Sequence, residues 1–158
     1  MLGYFGEDID AAIALIDRSL KLNPSFAGGW YRSGWLRLWA GQPDLAINHF
    51  ETALRLNPRD PTPGIVMGIG VGHFFARRFD EARAMLVRSL QEMPTWVPSH
   101  RFLASCYAQM GRLDEAGEVI RQIRTITPLV MPTAAHWRNP EHREVFLSGL
   151  RLAVGEAE

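Results

Sequence analysis

The chain has little cysteine: Cys106 is the one thiol in 158 residues, so no disulfide can close within it. A reducing, cytoplasmic setting is the expectation. There is no excess of either charge, since 17 Lys and Arg face 17 Asp and Glu. The basic residues are scattered, with Arg77-Arg78 the only adjacent pair. A nucleic-acid partner asks for a basic patch or stripe, so none is expected. No stretch approaches the ~20 apolar residues of a membrane span. The first ten residues, MLGYFGEDID, lack the basic start and apolar run of a signal peptide. No membrane partner is expected.

Chemistry-bearing clusters are also missing. Among His49, His73, His100, His136 and His142 no pair has the i, i+4 spacing of a helical metal site, so no metal and no cofactor are expected. The run Gly68-x-Gly70-x-Gly72 has His73 where a dinucleotide loop needs its third glycine, and no strand precedes it. Cys106 has His100 only at a six-residue spacing, and reads as a small buried hydrophobe. The pairs Asp80-Glu81 and Asp114-Glu115 read as the solvated first turns of helices. No catalytic residues are expected.

What the chain does have is a repeat. Prolines end amphipathic segments at Pro24, Pro58, Pro94 and Pro128, in steps of 34, 36 and 34 residues. Twelve residues before each stands Ala12, Ala46, Ala82 or Ala116, and two before each of those stands Asp10, Asp44, Asp80 or Asp114. Four after each Ala comes Ile16, Phe50, Leu86 or Ile120. Asp near a helix start can cap free N–H groups and suits the positive end of the dipole. The small Ala lets helices approach, and the residue four later shares its face. Proline stops the helix.

The unit AGGWYRSGWLRLWAGQPDLAINHFETALRLNPRD, residues 27–60, resembles the tetratricopeptide repeat through Trp30, Gly34, Ala46, Phe50, Ala53 and Pro58. Ser33 and Arg37 stand where that family usually has Leu and Tyr. The fourth copy follows the pattern with Leu103, Ala104, Tyr107, Gly111, Ala116 and Ile120. The resemblance implies an all-α, right-handed solenoid of about three and a half helix pairs. It divides the chain into 1–24, a truncated first repeat, then 25–58, 59–94 and 95–128. Helices are expected near 9–22, 26–40 and 43–56, with Gly41 at the turn and Pro43 in a first turn. A start inside a repeat is read as a cut from a longer protein.

In the third copy Gly70 falls where repeats need a small residue. Gly64, Gly68 and Gly72 are surplus, and either tight contact with a neighbour or local mobility is expected there. Residues 129–158 form a linker, a capping helix near 140–153 and a frayed tail. Val145, Phe146, Gly149, Leu150 and Ala153 are expected to pack that helix on the fourth copy.

In this family the first helices of the pairs line a concave groove. Carried over by repeat position, the groove residues are Tyr31, Trp35, Leu38 and Trp39 from the second copy. The third gives Met67, Val71, Phe74 and Phe75, and the fourth Arg101, Ser105 and Gln109. Aromatic, Met and Arg side chains are typical of binding hot spots. Part of this set turning into the core is the competing expectation. Tyr31 and Trp35 occupy places where chaperone-tail binders carry polar clamp residues, so a carboxylate clamp is not expected.

The implied function is a non-catalytic protein–protein interaction module, taking a peptide or helix in an apolar groove or self-associating into a homodimer. The tail HWRNPEHREVFLSGLRLAVGE also resembles the C-terminal repeat region of bacterial signalling proteins such as class III nucleotide cyclases. That implies a regulatory or scaffolding segment with the catalytic residues elsewhere. A stand-alone enzyme or ligand-binding domain, and a nucleic-acid-binding helical repeat, are the alternatives from other classes.

Overall fold

The structure is a computed structural model and describes residues 8–59 and 64–155. Residues 1–7, on which the truncated first repeat rests, and the tail beyond 155 lie outside the described residues. Eight helices and no strand occur among those described: α1 (Ile9–Leu22), α2 (Ala27–Trp39), α3 (Pro43–Leu56), α4 (Ile65–Phe75), α5 (Phe79–Glu92), α6 (Val97–Gln109), α7 (Leu113–Ile126) and α8 (Pro140–Val154). The pairs α2–α3, α4–α5 and α6–α7 are antiparallel hairpins stacked in chain order, and α1 packs on α2.

In α3, α5 and α7 the repeat columns have the positions their chemistry requires, while in α1 Ala12 and Ile16 are only half-buried. Ala46, Ala82 and Ala116 are each completely buried, and Phe50, Leu86 and Ile120 lie beside them in the core. The four prolines each follow a helix end by two residues. The repeated Asp residues differ from expectation in one respect. No side chain caps α3, α5 or α7 by a hydrogen bond. Asp44, Asp80 and Asp114 sit inside the first turn, where they face the helix dipole but cannot reach back to cap it. Side-chain caps come from Asp8 on α1 and Asn139 on α8.

Both departures from the family pattern have local reasons. Ser33 is fully buried, and its hydroxyl is 2.9 Å from His49 Nδ1. Arg37 Nη2 donates to Asp17 of α1 at 2.6 Å, and Nη1 to Gln42 Oε1. An ion pair to the previous helix replaces the tyrosine ring. Each hairpin turns through a left-handed residue, Gly41 and Gly111 in two pairs and Arg77 in the third. Arg77, at φ 59°, is the single non-glycine with positive φ among the described residues.

Of the two expectations for the third copy, the structure shows tight contact. A Cβ on Gly68 would lie 2.5 Å from the Phe50 ring, and one on Gly34 would lie 2.6 Å from the same ring. Phe50 is therefore held between two glycines of neighbouring hairpins. A Cβ on Gly72 would meet Ile47 at 2.6 Å. The Gly68–Gly72 run lies inside α4, buried throughout.

After α7 the chain turns back across the first helices of the pairs. Trp137 is buried against Phe75 and Phe102, with ring centres at 4.8 and 5.8 Å. The Arg138 amide donates to the Trp39 carbonyl at 2.9 Å, and its guanidinium meets Asp10 at 2.7 Å. Asn139 accepts from the Glu141 amide at 2.8 Å and starts α8. Then α8 lies along α6 with Val145, Phe146, Gly149, Leu150 and Ala153 buried. No helix among the described residues is long and apolar enough to cross a membrane.

Candidate protein-interaction site on the concave face

The C-terminal segment fills much of the groove that the first helices make. Phe146 stacks on Phe102 at 4.2 Å, and His142 stacks on Phe75 at 4.4 Å. Ser105 donates to the Phe146 carbonyl at 2.9 Å, and Gln109 Nε2 to the Val145 carbonyl at 2.7 Å. The approach is close because Gly149 has no side chain: a Cβ there would stand 2.8 Å from the Ser105 carbonyl oxygen. Ser105 and Gln109 thus hold the chain's own last helix, and Phe75 is covered by it.

The remaining groove is a cavity of about 580 Å³. Tyr31, Trp35 and Trp39 of α2, Met67 of α4, and Arg101 and Phe102 of α6 form three sides. Trp96, the residue before α6, stands at the rim with 46% of its surface exposed. Pro132, Thr133, His136 and Trp137 supply the fourth side. Of the eleven groove positions carried over from the family, Tyr31, Trp35, Trp39, Met67 and Arg101 line this cavity. Leu38, Val71 and Phe74 are at most 1% exposed and belong to the core. Phe74 is there because Phe102, Phe146 and Phe79 surround its ring.

The sequence pattern does not mark the fourth side. Residues 129–139 have no repeat phase, so nothing in their pattern says which face they cross. Trp96 and Met93 precede α6 and fall outside the carried-over positions. The signal that existed was composition: two tryptophans outside the first helices, Trp96 and Trp137, each beside a proline-bearing stretch.

The polar character of the wall is one-sided. Arg101 is the one charged residue in it, and no Asp or Glu lines it. Arg101 Nε donates to the Val130 carbonyl at 2.9 Å and Nη2 to the Leu129 carbonyl. Burial lowers the Arg101 pKa. Trp96 Nε1 donates only to the Met67 thioether, at 3.2 Å, a weak acceptor. His136 has its pKa lowered by burial and packs beside Trp137 at 4.7 Å.

Cys106 is buried, its thiol pushed up to about 12 by burial, and it donates to the Phe79 carbonyl. Among the described residues no three His, Cys, Asp or Glu side chains gather as a metal site.

Burial also sets a pH dependence. Desolvation lowers the pKa of His49, His73, His136 and His142 below the ordinary 6.5, aided by Arg37 at His49 and by Arg78 at His73. Each is held neutral in the fold but charges freely when unfolded. Their contribution is therefore complete above pH about 6.5 and is lost as pH falls through the depressed values. Melting temperature should drop between pH 7 and 5. His142→Phe keeps the stack on Phe75 and removes a buried, unpartnered Nδ1. It should flatten part of that slope, as thermal melts across the range would show.

Comparisons with known proteins agree with the helical-repeat fold. Models described as tetratricopeptide repeat match residues 27–60 and 76–129. A search of curated proteins gave no match. Among solved structures, a crystal structure of MamA superposes with a TM-score of 0.68 at 18% identity, covering 94% of this chain and 88% of that one. MamA from Desulfovibrio magneticus RS-1, residue 41 to the end, gives 0.69 at 19% identity, over 75% of this chain and 66% of that one. YrrB, described as a TPR protein with an unusual peptide-binding site, gives 0.63 at 21% identity, over 94% and 78%. More than half of the chain is thus matched as tetratricopeptide repeat, with the fold to go with it, and the protein is a tetratricopeptide-repeat protein.

Proposed function

We propose that this chain is a non-catalytic protein–protein interaction module that takes a peptide in the concave aromatic cavity. The observation that carries this is the convergence of Tyr31, Trp35, Trp39, Met67, Trp96 and Trp137 from four separate parts of the chain on one cavity. Large rings with few rotatable bonds supply contact area at low entropic cost. The volume lies within the ~300–1,000 Å³ usual for binding pockets. The balanced charge favours a protein or peptide over a nucleic acid.

The test is selection of a displayed random-peptide library on the wild-type chain. Selected peptides are expected to lose at least tenfold in affinity for Trp39→Ala, with little change in melting temperature. Undiminished binding to the variant would contradict the reading. A stability loss like that of Ala46→Trp would place Trp39 in the core instead.

A second reading, self-association, has its own support. Leu15 and Leu22 on α1, the first described helix, are 70% and 81% exposed. Light scattering on wild type and Leu15→Glu tests it: a wild-type dimer that the variant abolishes supports it, and a monomer at all concentrations removes it. A place beside the catalytic domain of a bacterial nucleotide cyclase rests on the wording of the tail alone. In the fold those tail residues, Trp137, Asn139, Phe146 and Gly149, have packing roles that account for them.

A further inference from the structure

Two N–H groups stand in the cavity wall, Trp96 Nε1 and the Arg101 guanidinium, with no carboxylate beside them to receive a bond. Flat rings make up most of the rest. A ligand that matches offers flat apolar faces and carbonyl acceptors, and brings few N–H groups that would be buried without partners. A proline-rich segment has that chemistry. Proline has no backbone N–H, and runs of it hold the extended polyproline II form before binding, so little order is lost on docking. Aromatic-lined grooves are the usual receptors of such segments.

The chain's own C-terminal stretch meets the cavity through a proline. Residues 127–134 have no regular secondary structure, and Pro132 and Thr133 of this stretch line the cavity. Arg101 holds this stretch through two of its carbonyls, those of Leu129 and Val130, with no side chain involved. Pro132 from the same stretch and Pro98 from α6 both lie in the aromatic wall. Meanwhile Trp96, with nearly half its surface open, spends its N–H on a thioether that a carbonyl would easily outcompete.

We propose that the cavity recognises an extended proline-rich peptide, whose rings lie against Trp35, Trp39 and Trp96 and whose carbonyls accept from Trp96 Nε1 and the Arg101 guanidinium. This rests on the peptide-binding reading above and names its ligand class. Recognition through carbonyls makes sequence between the prolines secondary. A helical peptide, with its carbonyls bonded internally, satisfies the donors less well.

The experiment is calorimetric titration of the full chain with acetylated, amidated decaproline. The controls are a Gly-Ser peptide of equal length and an alanine-based helical peptide. Decaproline should bind at least tenfold more tightly than either control. Trp96→Ala should abolish that binding, and Trp96→Phe, which keeps a ring and removes the N–H, should weaken it threefold or more. Circular dichroism melts would verify that both variants stay folded, as the exposure of Trp96 leads us to expect. Decaproline no better than the controls, or bound equally by Trp96→Ala, would overturn the proposal. If decaproline fails while library-selected peptides still depend on Trp39, only the proline preference falls. If neither dependence appears, the cavity reading falls with it.

Discussion

Phe50→Ala should lower the unfolding free energy by about 3–5 kcal/mol, the range for emptying a fully buried aromatic site. The ring has no exposed surface. It is gripped by Gly34 and Gly68, and its edge meets Trp35 at 5.5 Å and Tyr31 at 6.1 Å. Neighbouring hairpins therefore share this one side chain, and the gap cannot close without moving two helices. Chemical denaturation gives the number, and a loss under about 1 kcal/mol would show the site collapses. A double-mutant cycle is more specific. Gly68→Ala alone should destabilise by about 1–3 kcal/mol through overpacking against the ring. In the Phe50→Ala background the same change should be neutral or stabilising, because the clash is gone and alanine favours helix by about 1 kcal/mol.

Phe102→Ala should bring a loss of similar size, about 3–5 kcal/mol, with a different consequence. Phe102 is the junction between the solenoid and its C-terminal segment. Its ring contacts Phe74, Phe75, Trp137 and Phe146, with centres 4.2 to 5.8 Å away. It also lines the cavity. Removing it should loosen α8 and residues 132–137 before the hairpins, so limited proteolysis should cut between 127 and 139 faster than in wild type. Equal cutting rates would show that α8 is held without that ring.

The sequence made the hairpins legible because their constraints are local and periodic. Asp, Ala and Pro at fixed offsets mark a helix start, a packing face and a stop, and the observed bounds of α1 and α3 follow from them. The surplus glycines left close contact and local mobility open; the structure shows contact, and nothing local named Phe50 as the shared neighbour. The cavity was half legible. Repeat position picks out Tyr31, Trp35, Trp39, Met67 and Arg101, which line the cavity. It could not place the chain that crosses them. That depends on long-range contacts of Trp137, Arg138 and Gly149 with α2 and α6, and no spacing within residues 129–139 encodes those partners. The same crossing explains why Ser105 and Gln109 hold α8. The missing caps on α3, α5 and α7 have a simpler cause, since an Asp two residues past the cap position keeps its charge effect but loses its hydrogen bond.

The cavity depends most on the C-terminal segment returning across the first helices of the pairs to complete it. Native-state hydrogen exchange on the Arg138 amide tests that return, since this N–H is bonded to the Trp39 carbonyl at 2.9 Å in a stretch with no helix or strand of its own. The expected result is exchange slowed to the rate of amides within α8. Exchange at the rate of an unprotected loop amide would contradict it, because Trp137, Arg138 and Asn139 would then not be seated on the first helices and the cavity would lack its fourth side.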